Sequence, residues 1–175
     1  MAVAKRKKKF FDVEIPIISK QTQMQAYELA ELDNRFLKYD LTRMLKGKSM
    51  MLTLKVKVEG NEAIASPKKV MLLPYFLRRM VRKGTNYVED SFATECKDGK
   101  IIIKPFLITR RKVSRAVRNA LRKKAKEELV NYVKDKSAEE LFDEVLKNQI
   151  QRPLSQKLKK IYPLSLCEIR VLEIK

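Results

Sequence analysis

Five cationic side chains recur at helical spacing in the second half of the chain. They are Arg111, Arg115, Arg118, Arg122 and Lys126, and successive members stand three or four residues apart. That spacing places all five on one face of a helix. The stretch 110–126 contains no acidic residue, although a solvated helix usually gains about 0.2–0.5 kcal/mol from each pair of opposite charges one turn apart. Because guanidinium groups bind phosphates with two hydrogen bonds and stack on bases, this face predicts contact with a nucleic-acid backbone.

The net charge is concentrated in three short segments. The chain has a formal net charge of +19, and the segments 1–9, 110–126 and 152–160 together hold eighteen Lys and Arg without an Asp or Glu. The remaining residues are therefore close to neutral, which is typical of a protein with a polyanionic partner. We expect nucleic-acid contacts from these residues: Lys5, Arg6, Lys7, Lys8, Lys9, Arg110, Arg111, Lys112, Arg115, Arg118, Arg122, Lys123, Lys126, Lys157, Lys159 and Lys160.

Two other interpretations of the basic helix stay open at this point. It could be a merely solvated face, or it could bind a membrane surface, although it lacks the Trp and Phe anchors of an interfacial helix. The charges alone do not distinguish RNA from DNA. The sequence has no zinc finger, basic zipper or recognisable helix-turn-helix, and it lacks the aromatic motif of an RRM and the Gly-rich loop of a KH module.

Nothing in the sequence indicates an enzyme. Gly47-Lys48-Ser49 resembles the end of a phosphate-binding P-loop, but Thr42 stands where that loop needs its first Gly. The residues after it alternate as a strand rather than opening a helix. The chain has no His, so acid–base catalysis would fall to carboxylates, Lys or Tyr. Its acidic pairs are ordinary surface residues of helices, and we expect no catalytic residue and no cofactor.

The sequence also predicts no metal site and no membrane span. Cys96 and Cys167 are the only cysteines and match no zinc-ligand spacing, so we expect two free thiols in a reducing compartment. No apolar run approaches the roughly 18 residues that cross a bilayer. The basic N-terminus is followed by Phe10-Phe11-Asp12 rather than by an apolar stretch, so it is not a secretory signal. We therefore expect a cytoplasmic protein without a membrane partner.

The first half of the chain has a β pattern. Apolar and polar residues alternate from Leu52 to Val58, which predicts a half-buried strand. Gly60-Asn61 then predicts a turn into a partner strand through Ala63 and Ile64. Residues 34–41 are a weaker strand candidate. Residues 1–9 have almost nothing to bury, so they are expected to form a disordered basic tail.

Helices and strands mix in the second half. Pro74 predicts a helix through Lys83 that Gly84 caps. Strands 87–96 and 100–109 are expected to form a hairpin with a type I′ turn at Asp98-Gly99. Pro105 predicts an edge or a bulge in the second of these strands.

The C-terminal part predicts three helices and a closing strand. From about Lys112 to Lys134 an apolar stripe indicates a long basic helix; its members are Val113, Val117, Ala120, Leu121, Ala125, Leu129 and Val133. Ser137 and Glu140 form a capping box for the next helix. Pro153 predicts a short helix that Pro163 ends, and 166–174 reads as a strand. The prediction is one α+β domain over residues 10–175.

Several short motifs occur in an order that resembles a known family. The order is Val81-Arg82-Lys83-Gly84-Thr85, Lys97-Asp98-Gly99, Thr109-Arg110-Arg111, Ile161-Tyr162-Pro163-Leu164 and Glu168-Ile169-Arg170. Together they resemble the archaeal and eukaryotic small-subunit ribosomal protein family called S-three-A-e, or eS-one, best from about Tyr39 to the C-terminus. The chain departs from the family at Leu72-Leu73-Pro74-Tyr75, where the family has Leu-Thr-Arg-Asp. Its short N-terminal third resembles a compact archaeal version.

The resemblance implies a structural, non-enzymatic role in the ribosome. It implies binding to small-subunit rRNA on the platform near the mRNA exit, with neighbouring ribosomal proteins as partners and mRNA as a further candidate. It also implies an antiparallel, β-barrel-like sheet with packed helices. The alternatives are a non-ribosomal RNA-binding or RNA-chaperone protein, and a membrane-surface protein that uses the same basic helix.

Overall fold

The computed structural model describes residues 7–60 and 62–175, which fall into two compact units. The first unit takes in Met1–Tyr39 and Thr53–Lys68, and the second takes in Asp40–Leu52 and Lys69–Lys175. The predicted tail lies largely outside the described residues, as does Asn61 of the predicted turn. Lys9, the last residue of that tail, is the first residue of a strand.

The described residues contain nine strands and four α-helices. The strands are β1 (Lys9–Ile15), β2 (Lys20–Ala26), β3 (Phe36–Asp40), β4 (Met50–Glu59), β5 (Glu62–Leu72), β6 (Tyr87–Glu89), β7 (Phe92–Cys96), β8 (Gly99–Thr109) and β9 (Leu164–Ile174). The helices are α1 (Pro74–Met80), α2 (Arg115–Val133), α3 (Ala138–Leu146) and α4 (Gln151–Lys159). Pro16–Ile18 and Leu29–Leu32 form short 3₁₀ turns. The predicted α+β class is confirmed.

The strands pair in a mixed sheet rather than an antiparallel one. The path runs β2-β1-β5-β9-β8-β6, with β3 beside β4, β4 beside β5 and β7 beside β8. The expectation of purely antiparallel pairing is wrong for β1 and β5, which run parallel where Val13 lies opposite Ala63. The path ends at two different strands, so the barrel-like closure is not confirmed.

Strand alternation builds the core of the first unit. Within this unit Leu54 and Val56 of β4 are fully buried, as are Val13 and Ile15 of β1. The residues between them are partly or fully exposed. This period-two burial confirms the predicted half-buried strand, because successive side chains of a strand point to opposite faces.

In the second unit β8 is the central strand and carries a bulge at Pro105. It pairs with β6, β7 and β9, and its register with β9 shifts between Lys104, opposite Val171, and Pro105, opposite Ile169. Proline has no N–H to donate to the ladder, so an irregularity at this position is expected. The bulge is confirmed, and the edge alternative is not, since β8 has partners on both sides.

The hairpin turn before β8 differs from the prediction. Cys96 pairs with Gly99, so the two loop residues are Lys97 and Asp98. Gly99 has a positive φ of 139° and Asp98 does not, which makes the predicted type I′ turn at Asp98-Gly99 wrong. The Asp98 carboxylate instead accepts a hydrogen bond of 2.6 Å from the Ala138 N–H, at the start of α3. This contact satisfies a free N–H at a helix N-terminus, where negative charge is favourable.

The predicted end of α1 is also wrong. The helix ends at Met80, and Val81 is already extended, with φ −76° and ψ 117°. Gly84 has φ +88° and lies in the following turn, where the Thr85 hydroxyl donates to the Arg82 carbonyl at 2.7 Å. Gly84 therefore shapes the turn that leads into β6 and does not cap the helix.

α2 begins three residues later than its apolar stripe predicts. Ser114 is its N-cap, and the Ser114 hydroxyl accepts a hydrogen bond from the Val117 N–H at 3.4 Å. Arg111 and Lys112 therefore precede the helix. The stripe buries Leu121, Ala125, Leu129 and Val133, whereas Ala120 is exposed.

A set of hydrogen bonds around Asn86 and Thr109 holds the segment before α2. Thr109 is fully buried; its hydroxyl accepts from the Asn86 N–H at 3.1 Å and donates to the Arg111 carbonyl at 2.7 Å. The Asn86 carbonyl accepts from the Thr109 N–H at 2.9 Å, and the Asn86 side-chain oxygen accepts from the Val113 N–H at 2.9 Å. These bonds keep residues 110–113 out of the helix. We call them the Asn86–Thr109 junction.

The remaining helices follow the predictions closely. The capping box of α3 is present, since Ser137 and Glu140 each bond the other's backbone N–H. The hydrogen bond from the Ser137 N–H lowers the pKa of the Glu140 carboxyl. α4 begins at Gln151, two residues before Pro153, and ends at Lys159, before Pro163.

The Asn86–Thr109 junction yields a stability prediction. Replacing Thr109 with Val keeps the shape of the side chain but leaves the Asn86 N–H and the Arg111 carbonyl without their partner. A buried polar group without a partner costs about 1–3 kcal/mol, so we expect a loss of unfolding free energy of that size in urea titrations. Thr53→Val is the matched control, because Thr53 is half-buried in β4 and makes no side-chain hydrogen bond within the described residues; a change away from such bonds usually costs no more than about 0.5 kcal/mol. Equal losses in both variants would contradict the assigned role of Thr109.

The two cysteines yield a reactivity prediction. Burial, with Glu168 beside it, raises the pKa of the Cys167 thiol to about 12. The thiolate is the nucleophile, so Cys167 is protonated and unreactive at pH 8. Cys96 lies half-buried next to the hairpin loop. We expect a thiol reagent such as iodoacetamide to modify Cys96 in the folded protein and to reach Cys167 only after denaturation. Mass spectrometry of the two cysteine peptides measures this, and rapid native labelling of Cys167 would refute it.

Candidate nucleic-acid interface

α2 carries three arginines in its N-terminal half, on the same side of the helix as its buried residues Leu121, Ala125 and Leu129. Arg115 and Arg122 are exposed and Arg118 is half-buried. None of the three takes part in an ion pair within residues 7–60 and 62–175. Arg115 and Arg122 are seven residues apart, which is about 10 Å along a helix. Three guanidinium groups without acidic partners thus line two turns of α2.

These arginines form one wall of a cleft in the second unit. The cleft has a volume of about 510 Å³, and its other wall is the segment from Val81 through Thr85 to Glu89. Asn119 of α2 and Asn86 of the junction also line it. The Arg118 Nε is buried and has no hydrogen-bond partner. We call this cleft, with its three arginines, the arginine cleft.

The other basic residues near α2 differ in whether their side chains already contact another part of the protein. Arg110, Arg111 and Lys112 are exposed in the segment before the helix, and Lys123 is exposed on it. The Lys126 ammonium lies 5.7 Å from the centre of the Phe92 ring, within the range of a cation–π interaction. The sequence predicts five cations on one helical face. Four of them lie within α2, and Arg111 precedes it.

The basic residues of α4 are divided between paired and free positions. Lys157 donates to the Glu128 carboxylate at 2.5 Å and lowers the pKa of that group; Lys124 lies 3.3 Å from the same carboxylate. The positive charge of Lys157 is therefore already paired within the protein. Lys159 and Lys160 are exposed, and no ion pair involves them within the described residues. They remain available to an external anion.

The N-terminal basic residues belong to the first unit. Lys7, Lys8 and Lys9 are exposed, and the Lys8 ammonium lies 5.7 Å from the centre of the Tyr27 ring. Lys5 and Arg6 lie outside the described residues. These side chains and those of α2 and α4 are therefore not parts of one described site.

Lys48, of the P-loop-like motif, has an internal partner. Its ammonium lies 2.6 Å from the Glu168 carboxylate and donates to the Asn148 side-chain oxygen at 2.6 Å. The two charged side chains are only 11% and 13% exposed. A buried lysine that is fully engaged in this way is not free to hold a phosphate, which agrees with the missing Gly of the motif.

Sequence reasoning missed the second wall of the arginine cleft. This wall contains Thr85, Asn86 and Tyr87, which precede Arg115 by about thirty residues in the chain. Only the pairing of β6 with β8 brings them beside α2. One signal was present, because Asn119 follows Arg115 by four residues and so shares its helical face. No sequence pattern pointed to the buried nitrogen of Arg118.

Two kinds of site are not found in the described part of the chain. Residues 7–60 and 62–175 contain no group of three His, Cys, Asp or Glu side chains that could hold a metal ion. None of the helices in these ranges is both long and apolar enough to cross a bilayer.

Comparison with known proteins finds archaeal relatives that share one name. The chain is 29% identical over 138 residues to the small ribosomal subunit protein eS1 of Pyrobaculum aerophilum, covering 78% of this chain and 62% of the relative. It is 32% identical over 120 residues to the protein of that name from Methanothermobacter thermautotrophicus, covering 66% and 62%. With the protein of that name from Nanoarchaeum equitans it shares 28% over 108 residues, covering 61% and 54%. This chain thus matches about three fifths of the length of these relatives.

The family itself is established over nearly the whole chain. The model of the Ribosomal S3Ae family matches residues 4–175. That range includes the arginine cleft, the Asn86–Thr109 junction and both described units. The chain belongs to the Ribosomal S3Ae family.

Proposed function

We propose that this protein is a structural component of the small ribosomal subunit that binds rRNA and catalyses no reaction. The observation that carries the proposal is the arginine face of α2, with three guanidinium groups that have no acidic partner within the described residues. Family membership and the name that the archaeal relatives share support it. The partners would be small-subunit rRNA and neighbouring ribosomal proteins, and the site of action would be the ribosome in the cytoplasm.

The electrostatics of α2 favour an anionic partner. Like charges one turn apart destabilise a helix by about 0.2–0.5 kcal/mol per pair, and cations near a helix N-terminus also oppose the helix dipole. α2 has no acidic residue in its first turn, where Arg115 and Arg118 stand. Phosphates placed against these side chains would remove both penalties and would gain charge-assisted hydrogen bonds.

The finer parts of the proposal concern location and the basic segments. We propose that the protein sits on the platform near the mRNA exit, as its resemblance to the family implies, with mRNA as a further candidate partner. Residues 10–175 would act as the rRNA-bound domain, and the predicted basic tail of residues 1–9, apart from Lys9 in β1, would become ordered on RNA. A short basic segment rich in charge and poor in apolar groups gains enough from phosphate contacts to offset its ordering entropy only in the complex.

Replacing the three arginines of the cleft tests the RNA-binding role. In the triple variant Arg115→Gln, Arg118→Gln and Arg122→Gln, we expect RNA affinity to fall. The slope of log K against log salt should become shallower by about two units, at roughly 0.7–0.9 for each lost phosphate contact. Folding stability should stay the same or rise slightly, because like-charge repulsion is removed and no ion pair is broken. Salt titrations and urea unfolding curves measure the two effects.

A matched control removes the same charge elsewhere. Arg43, Arg78 and Arg79 are exposed residues of the second unit outside α2. Changing all three to Gln lowers the net charge equally and should leave the salt slope nearly unchanged. Equal effects of the two triple variants would show that RNA responds only to net charge, which contradicts the assignment to α2.

The ribosomal part of the proposal has its own test. The tagged protein, expressed in an archaeal host, should sediment with small subunits in a sucrose gradient and should remain with them after a moderate salt wash. Sedimentation with free RNA alone would favour the non-ribosomal RNA-binding alternative. Recovery on anionic liposomes in the presence of competitor RNA would favour the membrane-surface alternative.

A further inference from the structure

Arg118 is the middle one of the three arginines that line the arginine cleft. Its Nε is buried and unpartnered, although a guanidinium N–H is a strong donor. Leaving such a group unpaired costs free energy, so an acceptor that reaches Arg118 would stabilise it. Arg115 and Arg122 flank it on the same face and line the same cleft. Phosphate is an anion that guanidinium groups bind with charge-assisted hydrogen bonds.

Tyr87 gives the same cleft an aromatic surface. The residue lines the cleft and is 51% exposed, and together with Phe106 and Arg170 it also lines a neighbouring cavity of about 430 Å³. Its ring stacks on the buried Phe106, with the centroids 5.7 Å apart and the planes 18° apart. Phe106 therefore fixes the orientation of the Tyr87 ring while half of its surface stays open to solvent. A rigid, exposed ring beside a cationic groove is the arrangement that single-stranded nucleic-acid binders use to stack bases.

The acidic residue in the cleft does not oppose an anion. Glu89 lines the cleft, but its carboxylate is held by Arg170 at 2.8 Å. The pair leaves the net charge of the lining strongly positive. Asn119, which is exposed on α2 beside the arginines, adds an amide that can bond a base edge or a ribose hydroxyl.

The shape of the site selects an unpaired nucleotide over a duplex. In A-form RNA the bases are stacked on each other and the deep groove is closed to side chains, so a paired base cannot reach a tyrosine inside a cleft. A duplex could offer this site only backbone phosphates. The volume of about 510 Å³ lies within the range of about 300–1,000 Å³ that is usual for pockets that hold small organic ligands.

We propose that the arginine cleft binds unpaired RNA, with the base of one nucleotide stacked on Tyr87 and neighbouring backbone phosphates on Arg115, Arg118 and Arg122. The inference rests on the proposed RNA-binding function and goes beyond it, because it assigns one face of α2 to unpaired RNA. It also separates two contributions to binding. The arginines supply the salt-dependent part, and Tyr87 supplies a part that depends on an unstacked base and not on salt.

The test uses the full chain and two RNA probes. Each probe carries one 2-aminopurine base, which loses fluorescence when it stacks on an aromatic ring. In the first probe, a short single strand, this base is unpaired. In the second probe it is paired within a hairpin stem. We expect wild-type protein to quench the unpaired probe well beyond the paired one. Tyr87→Leu should abolish that difference and weaken single-strand binding by about 5- to 100-fold, with an unchanged salt slope. Tyr87→Phe should retain both quenching and affinity.

The control is an equally exposed tyrosine outside the cleft. Tyr75 of α1 is 49% exposed, and Tyr75→Leu should leave affinity and quenching as in the wild type. Equal effects of the Tyr75 and Tyr87 variants would overturn the proposal, as would equal quenching of the two probes by the wild-type protein. The second comparison needs no variant, so it decides the question even if Tyr87→Leu fails to fold. If the arginine triple variant loses affinity while Tyr87→Leu does not, only this inference fails. If the wild-type protein binds neither probe, the proposed RNA-binding function fails with it.

Discussion

The Asn86–Thr109 junction determines how the second unit presents its charge. Thr109 ends β8 and is fully buried, and Asn86 precedes β6, so their hydrogen bonds fix the strand ends against each other. The same two side chains hold the Arg111 carbonyl and the Val113 N–H, which delays the start of α2 to Arg115. The junction therefore sets where α2, with its three arginines, begins beside β6.

Along α2 the charges run from basic to acidic, which is the opposite of the order that stabilises an isolated helix. Arginines stand in its first turns, and the acids Glu127 and Glu128 come only in its second half, opposite to what the helix dipole favours. Burial of the apolar stripe holds the helix in place regardless, since each buried leucine contributes about 1.5–3 kcal/mol, several times a pairwise charge term. Glu128 is in turn shared by Lys124 of α2 and Lys157 of α4. Arg115, Arg118 and Arg122 have no such partner within the described residues, and they stand toward the helix N-terminus, where a bound phosphate is most favourable.

Local sequence patterns predicted the elements that are stabilised by residues close together in the chain. Alternation found β4, the apolar stripe found α2, and the Ser137–Glu140 capping box marked the start of α3, because each depends on residues within one strand or a few turns. The predictions failed where a distant residue decides. Asp98 has no positive φ in the hairpin loop, and its carboxylate bonds Ala138, forty residues away. α2 starts late because Asn86 bonds Val113 across twenty-seven residues. The charge pattern identified the arginines, but it could not reveal Tyr87 or the buried nitrogen of Arg118, which depend on strand pairing.

A basic helix alone would bind any polyanion, and the cleft changes what such a helix can recognise. Charge gives affinity that falls with salt and carries no information on the shape of the RNA. A wall that holds a fixed aromatic ring beside the arginines adds a contact that only an unstacked base can make. The ring is held by Phe106 and the wall by Thr109, and both belong to β8. On the proposed function, selectivity for unpaired RNA would come from the central strand of the second unit and salt-dependent affinity from α2, and the junction links these two elements.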